Sequence, residues 1–445
     1  MDATNNLVVK TGWLTKQGGF IKSWRKRWFV LLGRTLYYYT EPGKKESGRI
    51  FVDQATAVEK APEVSRQPAF KIVVPRQRTY YIVGDKQEEV DEWISTLQIA
   101  MKGAKPPDPT HISEDDFQIL SVLGRGTYGK VQLVKYKKTG QIFAMKSMSK
   151  RLLEEFDQIE QILTEKNVLL KSTFPFLVSA HFTFQNEDKI FMVIDYVPGG
   201  ELFSRLKEEQ KFSENRARLY AAEIALGLGH LHSLGFVYRD LKPENILVDE
   251  NGHLKITDFG LAKGKMGTNT TTSTFCGTPE YIAPEILQQF PYTKAVDWWS
   301  FGILLFEMLT GLPPFYDENM TKMYRSIIND PISYPPYLSP NACSLLSKLL
   351  ERDPNLRLGG GDRDFEEIKE HPFFASLDWD DVIARKTTPE WIPPLTSVSD
   401  VSHFDQQFTT ESIAASIETG PSLSNETQKV FVGFTCVDES KLSLQ

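Results

Sequence analysis

Hydrophobic and polar residues follow two different rhythms in the first hundred residues. From about 7 to 83, β-branched and aromatic residues are interrupted every few positions by Gly, Pro or Asp, which predicts several short antiparallel strands. From about 86 to 102, Val90, Trp93, Leu97 and Ala100/Met101 recur at helical spacing, which predicts a helix with one apolar face. The pattern therefore predicts a small β-rich domain that ends in a helix.

A second pattern begins after a polar, proline-rich stretch at 104–116, which is predicted to be a linker. Strand-forming sequence runs from Phe117 to about 146, a helical stretch with Ile159, Ile162 and Leu169 follows, and residues from about 201 to 375 are mostly helical in pattern. Residues 376–445 are rich in Ser, Thr and Pro with isolated aromatic anchors, which is typical of a tail wrapped around a folded body. The predicted fold class is multidomain α+β.

Charge separates the two patterns. The chain carries a net charge of -7, yet residues 1–103 contain 17 Lys and Arg against 11 Asp and Glu. A basic module beside an acidic body suggests that the first part meets an anion, such as a lipid headgroup or a nucleic acid, although a solvated basic face is the alternative. Three widely spaced cysteines predict reduced thiols, and no apolar run approaches the ~18–20 residues of a membrane span, so a cytoplasmic location is expected.

A glycine-rich segment interrupts the strands of the second pattern. Gly124 to Val131 reads G-x-G-x-x-G-x-V, in which glycines let the backbone approach phosphates closely. The segment alone is ambiguous, because dinucleotide-binding folds carry a similar fingerprint. Lys146 ends a following strand, from which it can reach nucleotide phosphates, and Glu165 lies in the next predicted helix, where it can pair with Lys146. An exposed helical charge is the alternative interpretation for Glu165.

The mostly helical stretch from about 201 to 375 contains carboxylates and an amide with the spacing needed for phosphoryl transfer. Asp240 would accept or orient the proton of a substrate hydroxyl, and Lys242 would neutralise the transferring phosphoryl group. Asn245 and Asp258 supply hard oxygen ligands that suit Mg²⁺. Ala283-Pro284-Glu285 ends the activation segment, and Arg357 is the expected buried partner of Glu285.

The order and spacing of these motifs resemble the eukaryotic protein kinase fold over about residues 117–375. Lys-Pro-Glu at 242–244 is similar to serine/threonine kinases, with Tyr238 in place of the usual His of that loop. The resemblance implies ATP and Mg²⁺ as cofactors, with Lys146, Glu165, Asp240 and Lys242 as catalytic residues. The nucleotide-binding set that it implies is Leu123, Gly124, Arg125, Gly126, Thr127, Tyr128, Gly129, Lys130, Val131, Lys146 and Asp195.

The tail resembles that of AGC-group kinases. Phe404-Asp405-Gln406-Gln407-Phe408 is similar to the segment that lies near the adenine in that group, and Phe431-Val432-Gly433-Phe434-Thr435 is similar to its hydrophobic motif, which docks beside the Glu165 helix. The resemblance implies phosphorylation at Thr435 and at Thr274 in the activation segment, where the phosphate would pair with Arg239. Thr278 is interpreted as a structural contact near the substrate site.

The first domain resembles a pleckstrin homology (PH) domain. Lys16 precedes a loop and Arg25 and Arg27 follow it, on strands that would place all three cations near that loop. Converging cations grip a polyphosphorylated headgroup, and Arg offers bidentate phosphate contacts. Arg78 matches a further headgroup-binding position of the family, so the resemblance favours 3-phosphoinositides. A purely protein-binding module is the competing interpretation.

In this order the parts resemble the protein kinase B (Akt) family. The domains expected are PH 5–103, linker 104–116, kinase 117–374 and AGC tail 375–445. The resemblance implies a monomer that phosphorylates proteins and binds no nucleic acid, is recruited from the cytoplasm to the plasma membrane, and is phosphorylated by upstream kinases. A pseudokinase scaffold is the alternative, against which Lys146, Asp240, Asn245 and Asp258 argue.

Several positions depart from the family pattern. Glu201 and Glu244 match two acidic residues that bind substrate arginines, but Arg325 is aligned with a third acidic position, which predicts an altered specificity. Gln161 replaces a His near the activation-loop phosphate, and Ser416, the nearest position to a turn-motif phosphosite, lacks the following Pro.

Overall fold

The structure is a computed structural model that describes residues 8–18, 22–42, 44–75, 78–102, 112–264, 272, 274, 276–411, 428, 430–431 and 433–437. The chain divides into two compact units, Met1–His111 with Phe431–Gly433, and Ile112–Val430 with Phe434–Gln445. None of the helices in these described ranges has the length and apolar character that a bilayer span requires.

The first unit is a seven-stranded antiparallel sheet with one helix. Its strands are β1 (Val8–Gln17), β2 (Trp24–Leu32), β3 (Thr35–Tyr39), β4 (Glu46–Phe51), β5 (Ala57–Lys60), β6 (Ala69–Val74) and β7 (Arg78–Val83), and its helix is α1 (Gln87–Lys102). The strand order is β4-β3-β2-β1-β7-β6-β5. Alternate residues of the strands, such as Phe29 and Leu31 of β2, enter a core that Trp93 and Leu97 of α1 close. The predicted helix and its apolar face are confirmed.

The second unit begins with a smaller lobe built on a six-stranded sheet. Its elements are β8 (Phe117–Gly126), β9 (Gly129–Tyr136), β10 (Ile142–Ser149), α2 (Lys150–Glu155), α3 (Ile159–Lys171), β11 (Ala180–Gln185) and β12 (Lys189–Asp195). The strand order is β15-β11-β12-β10-β9-β8, where β15 (Cys436–Val437) comes from the tail. Aromatic residues fill one face of this sheet, with Phe117 within 5.9 Å of the rings of both Phe182 and Phe184.

The larger lobe is mainly helical, as its sequence pattern predicts. Its elements are α4 (Leu202–Glu209), α5 (Glu214–Ser233), β13 (Ile246–Val248), β14 (Leu254–Ile256), α6 (Pro284–Leu287), α7 (Ala295–Thr310), α8 (Met320–Asn329), α9 (Pro340–Leu349), α10 (Phe365–Lys369), α11 (Trp379–Ile383) and, in the tail, α12 (Gln406–Thr409). Helix α7 is buried on all sides and ends at Gly311, whose φ of +94° suits a glycine after the last helical turn. The β13–β14 hairpin carries the loop that precedes Asp258.

A buried ion pair joins distant parts of the larger lobe. The two terminal guanidinium nitrogens of Arg357 contact the carboxylate of Glu285, at 2.7 and 2.9 Å, and Arg357 also donates to the carbonyl of Ala295. The expected pairing of Glu285 with Arg357 is confirmed. Since both side chains are almost fully buried, each neutralises a charge that would otherwise be costly.

Candidate active site and anion-binding site

The glycine-rich segment forms the tip of the β8–β9 hairpin. Arg125 pairs with Lys130 and Gly126 with Gly129, which leaves Thr127 and Tyr128 in the turn. A Cβ on Gly124 or Gly126 would meet nothing within 4 Å, whereas one on Gly129 would lie 1.8 Å from the carbonyl oxygen of Ser147. The first two glycines therefore leave open space at the tip, and the third permits a close approach to β10.

The charged groups behind the hairpin meet as the sequence predicts. The Lys146 amine lies 2.7 Å from Glu165 Oε1 and 3.9 Å from Asp258 Oδ1. Burial opposes the charge on Lys146, but the carboxylates of Glu165 and Asp258 outweigh it and raise the Lys146 pKa above the usual lysine value. Lys146 therefore stays protonated at the back of the cleft.

Three polar side chains surround the Asp240 carboxylate. Thr278 Oγ1 donates to Asp240 Oδ1 at 3.0 Å, Asn245 Nδ2 donates to Asp240 Oδ2 at 2.9 Å, and Lys242 Nζ lies 3.2 Å from the same carboxylate. Lys242 also donates to Thr278 Oγ1 at 2.9 Å. Tyr238 is fully buried and donates its hydroxyl to the carbonyl of Thr257.

A second buried network, which the sequence analysis missed, supports that loop. Asp297 of α7 accepts hydrogen bonds from the backbone N–H groups of Tyr238 and Arg239. His232 lies between Asp297 and Asp364, at 2.8 and 3.0 Å. Burial would lower the His232 pKa, but hydrogen bonds to the two carboxylates raise it to about 9. A charged histidine therefore holds the acceptor that fixes the catalytic-loop backbone.

The predicted substrate-binding carboxylates lie among further acids. Burial and then the charge of Glu244 raise the pKa of Glu201, against the effect of Lys242. Glu307 was missed, although an acid inside the apolar run that follows Asp297 in α7 is a visible signal. Burial raises its pKa to about 7, as do the charges of Glu244 and Glu280, while a hydrogen bond from Tyr281 acts in the opposite direction.

The predicted phosphorylation sites lie on two different parts of the second unit. Thr274 is exposed, and its carbonyl accepts a hydrogen bond from Tyr292, whose hydroxyl also lies 3.0 Å from Arg239 Nη1. Thr435 is half-buried and immediately precedes β15, which pairs with β11. Ser416 and the linker residues 104–111 lie outside the described residues.

The tail segment before Thr435 is anchored on the smaller lobe. Thr183 Oγ1 donates to the carbonyl of Phe434 at 2.6 Å, and the Lys166 amine of α3 lies 4.8 Å from the centre of the Phe434 ring. The Phe434 ring thus lies beside the Glu165 helix, where the resemblance implies it. Phe431 is buried as well.

The structure bears on the predictions that Asp195 binds the nucleotide and that Arg325 alters substrate specificity. The Asp195 carboxylate accepts from Lys255 at 2.8 Å and lies 2.7 Å from His181, and the Asp195 backbone N–H donates to the carbonyl of Ser179, so these groups are engaged within the protein. Arg325 is exposed on α8, whose buried face is formed by Met323 and Ile327. Gln161 has a buried Oε1 that accepts no hydrogen bond from the residues the structure describes.

The first unit brings together cations from β1, β2 and β7. In the β1–β2 ladder Lys16 lies opposite Arg25, and Leu14 opposite Arg27. The Lys16 amine lies 4.7 Å from the centre of the Tyr38 ring, and the Arg78 guanidinium 4.3 Å from that of Tyr80. Burial, then Arg78 and Arg27, lower the Lys16 pKa to about 8. Lys16, Arg27 and Arg78 therefore form one electrostatically coupled group.

The residues predicted to bind magnesium fit a cation that shares its ligands with a nucleotide. Asn245 Nδ2 donates to the carbonyl and carboxylate of Asp240, which turns the amide oxygen of Asn245 the other way. Half of the Asp258 side chain is exposed toward solvent. Within the described ranges no group of three or more His, Cys, Asp or Glu could hold a metal ion by itself. Mg²⁺ commonly takes one or two protein oxygens and completes its shell with phosphates and water.

Comparison with known proteins places these sites in a family. The model of the PH domain matches residues 8–102, that of the protein kinase domain residues 117–374, and that of the protein kinase C terminal domain residues 395–436. A RAC family serine/threonine-protein kinase homolog from Dictyostelium discoideum is 45% identical over 441 residues, which cover 98% of both chains.

Two further similar proteins are also serine/threonine-protein kinases. RAC-beta serine/threonine-protein kinase A from Xenopus laevis is 39% identical over 451 residues, 92% of each chain, and serine/threonine-protein kinase Sgk1 from Homo sapiens is 48% identical over 337 residues, 74% of this chain and 78% of its own. The chain therefore belongs to the protein kinase family, as an Akt-like serine/threonine kinase of the AGC group with an N-terminal PH domain.

Proposed function

We propose that this kinase transfers the γ-phosphate of ATP, bound with Mg²⁺, to Ser or Thr in a basic sequence context, after 3-phosphoinositides recruit it as a monomer from the cytoplasm to the plasma membrane. The observation that carries the catalytic part is the hydrogen-bonded group of Asp240, Lys242, Thr278 and Asn245. It stands in the same unit as the Lys146–Glu165 pair.

Each of these side chains has a defined task in the proposed reaction. Asp240 orients the substrate hydroxyl and accepts its proton, while Thr278 and Asn245 fix the carboxylate for that contact. Lys242 brings a positive charge beside the same carboxylate, toward the transferring phosphoryl group. Lys146, kept charged by Glu165 and Asp258, holds the nucleotide phosphates. Asp258 and Asn245 would hold Mg²⁺, which supplies electrostatic stabilisation of the phosphoryl oxygens.

Peptide phosphorylation tests the catalytic proposal. With Thr274 phosphorylated, Asp240→Ala should lower kcat by about 10²–10⁴, the range for loss of a general base. Asp362→Ala, which removes an exposed carboxylate from the same lobe, is the matched control and should retain full activity. If wild type and Asp240→Ala are equally inactive, the chain is a scaffold and not an enzyme.

The acidic group formed by Glu201, Glu244, Glu280 and Glu307 supports the basic preference. Burial and mutual repulsion raise the pKa of Glu201 and of Glu307, so a guanidinium entering the group would relieve both costs. In this proposal Glu307 joins Glu201 and Glu244 as the third acid that binds substrate arginines. The preference for basic substrates then does not depend on position 325. A positional-scanning peptide assay should show loss of one arginine preference in Glu307→Gln. An unchanged profile would assign Glu307 to structure alone.

The cation group of the first unit supports lipid binding. An anion beside Lys16, Arg27 and Arg78 would stabilise the charge that burial and the repulsion of the two arginines disfavour on Lys16. In liposome sedimentation, Arg25→Ala should reduce binding to vesicles with 3-phosphoinositides, and Arg34→Ala, exposed in the turn at the other end of β2, should not. Equal binding of wild type and Arg25→Ala, with no headgroup preference, would favour the protein-binding alternative.

Upstream kinases are proposed to switch the enzyme through Thr274 and Thr435. A phosphate on Thr274 adds about two negative charges near Arg239, at present engaged with Tyr292, and would order the activation segment. Thr274→Ala and Thr435→Ala should each lower activity, and Thr435→Asp should restore part of it. If all Thr435 forms were equally active, the tail would not take part in activation.

A further inference from the structure

The tail crosses the edge of the nucleotide cleft as a strap, defined here as residues 400–411. At its start, Tyr196 donates its hydroxyl to the carbonyl of Asp400, and the ring of Phe404 stacks on Tyr196 with centroids 5.8 Å apart. Phe404 also packs against the cluster of Leu123 and Ala144 beneath the glycine-rich hairpin. The first half of the strap is therefore fixed to the cleft by packing.

The strap ends on the glycine-rich hairpin itself. Arg125 Nε lies 2.9 and 3.1 Å from the two carboxylate oxygens of Glu411, and Arg125 Nη2 lies 2.6 Å from Glu411 Oε2. Just before it, Ser121 Oγ donates to the carbonyl of Thr409 at 3.3 Å. The Arg125 fork thus meets one carboxylate in the bidentate geometry that gives arginine pairs their directional strength.

The partner of Glu411 lies in a part of the hairpin with open space on its side-chain face. Arg125 lies between Gly124 and Gly126, and added Cβ atoms on these glycines would touch nothing within 4 Å. Glycine also loses more conformational entropy on ordering than other residues. A directional contact to Arg125 therefore restricts a segment that its own sequence leaves loose.

We propose that Glu411 is a positioning residue for nucleotide binding, which tethers the glycine-rich hairpin through Arg125 and so slows nucleotide release. The inference rests on the proposed ATP site and adds a determinant of its affinity that lies in the tail. A tethered hairpin has less freedom to lose when it closes over the phosphates, so binding costs less entropy. Hairpin opening, which release requires, has to break the ion pair.

Charge repulsion between Glu411 and the nucleotide phosphates would have the opposite effect on nucleotide affinity. Glu411 is a negative charge near the phosphate side of the cleft, so its removal would strengthen nucleotide binding if charge repulsion were the larger effect. Both side chains are partly exposed, 48% for Arg125 and 26% for Glu411, so water and salt screen the long-range repulsion. The directional contact acts at 2.6–3.1 Å and is lost completely with the carboxylate.

Stopped-flow release of a fluorescent ATP analogue, with Mg²⁺ and the full chain, tests the tether. Glu411→Gln should raise the release rate and the KM for ATP by about two- to fivefold, the range for one exposed ion pair, without lowering kcat. Glu390→Gln is the matched control, because Glu390 is a tail carboxylate that accepts from Ser213 of the larger lobe. It should release the analogue at the wild-type rate.

A charge exchange separates the tether from electrostatics and from misfolding. Arg125→Glu alone should release the analogue fastest, and Arg125→Glu combined with Glu411→Arg should recover at least half of the lost affinity, since the ion pair is restored in reverse. Tighter binding in Glu411→Gln, or no recovery in the exchanged pair, would overturn the proposal. A wild-type chain that binds no analogue would instead contradict the proposed function.

Discussion

The two units differ in the charges that surround selected buried cations. In the kinase unit, each of three buried cations is matched by acids of the same unit: Lys146 by Glu165, Arg357 by Glu285, and His232 by Asp297 and Asp364. In the first unit, the charges that act on Lys16 within the described ranges are those of Arg78 and Arg27, both cations. These three cations of the kinase unit therefore carry their counter-charges within the unit, and the site around Lys16 is complementary to an anion.

The difference in charge pairing fits a preorganised catalytic site in the kinase unit and an anion-binding site in the first unit. Internal pairing holds the catalytic groups in place whether or not substrates are bound, which is the condition for electrostatic preorganisation. Unbalanced cations in the first unit reduce its stability when it is empty and return that free energy when an anion binds. Removing a cation should therefore have opposite consequences for stability in the two units.

The largest effect is expected at the buried pair of the kinase unit. Arg357→Ala leaves the Glu285 carboxylate buried without its partner, and it should lower the free energy of unfolding by about 3–5 kcal/mol. Urea unfolding of the full chain measures the loss. Arg363→Ala breaks an exposed pair with Glu370 and should leave the melting temperature unchanged. A loss in Arg357→Ala as small as that of the control would contradict the comparison.

An intermediate effect is expected from His232. Its pKa is raised from 6.5 to about 9 in the folded chain, so its contribution is complete below pH 6.5 and is lost as the pH rises through 9. Stability should fall by about 1–3 kcal/mol over this interval. Calorimetry of His232→Gln should show a flatter profile, whereas His230→Gln, in the same helix, should keep the wild-type slope. Parallel profiles for wild type and His232→Gln would contradict this account.

The smallest effect, with the opposite sign, is expected at Lys16. Because its pKa is lowered from 10.5 to about 8, the empty chain should gain stability as the pH rises from 8 to 10.5. Lys16→Met should be more stable than wild type by about 1 kcal/mol at pH 7, allowing for screening, and should bind 3-phosphoinositide vesicles more weakly. Lys45→Met, which removes an exposed cation, is the control for both measurements. A destabilised Lys16→Met chain would show that Lys16 is structural.

Sequence reasoning succeeded where the signal was local. The α1 face and the glycine-rich turn follow from periodicity and spacing within a few residues. The pairings of Lys146 with Glu165 and of Glu285 with Arg357 were also predicted, although they join residues 19 and 72 positions apart.

Contacts between segments that carry no shared motif were missed. Glu307 is visible as one of two acids in an otherwise apolar helix, but its neighbours Glu244 and Glu280 come from other segments. The Arg125–Glu411 contact joins residues 286 apart, and no periodic pattern encodes it. Such contacts depend on the path of the tail across the folded lobes, which a single sequence does not specify.

The pairing of β15 with β11 has a consequence for how the smaller lobe matures. Thr183 and the carbonyl of Phe434 are 251 positions apart, so the sheet edge at β11 receives its last strand only through a contact of very high sequence separation. Contacts of this kind form late, and an unpaired edge strand is a template for aggregation. A newly made chain would therefore expose β11 until the tail arrives, and a chaperone that shields strand edges would find its binding surface there.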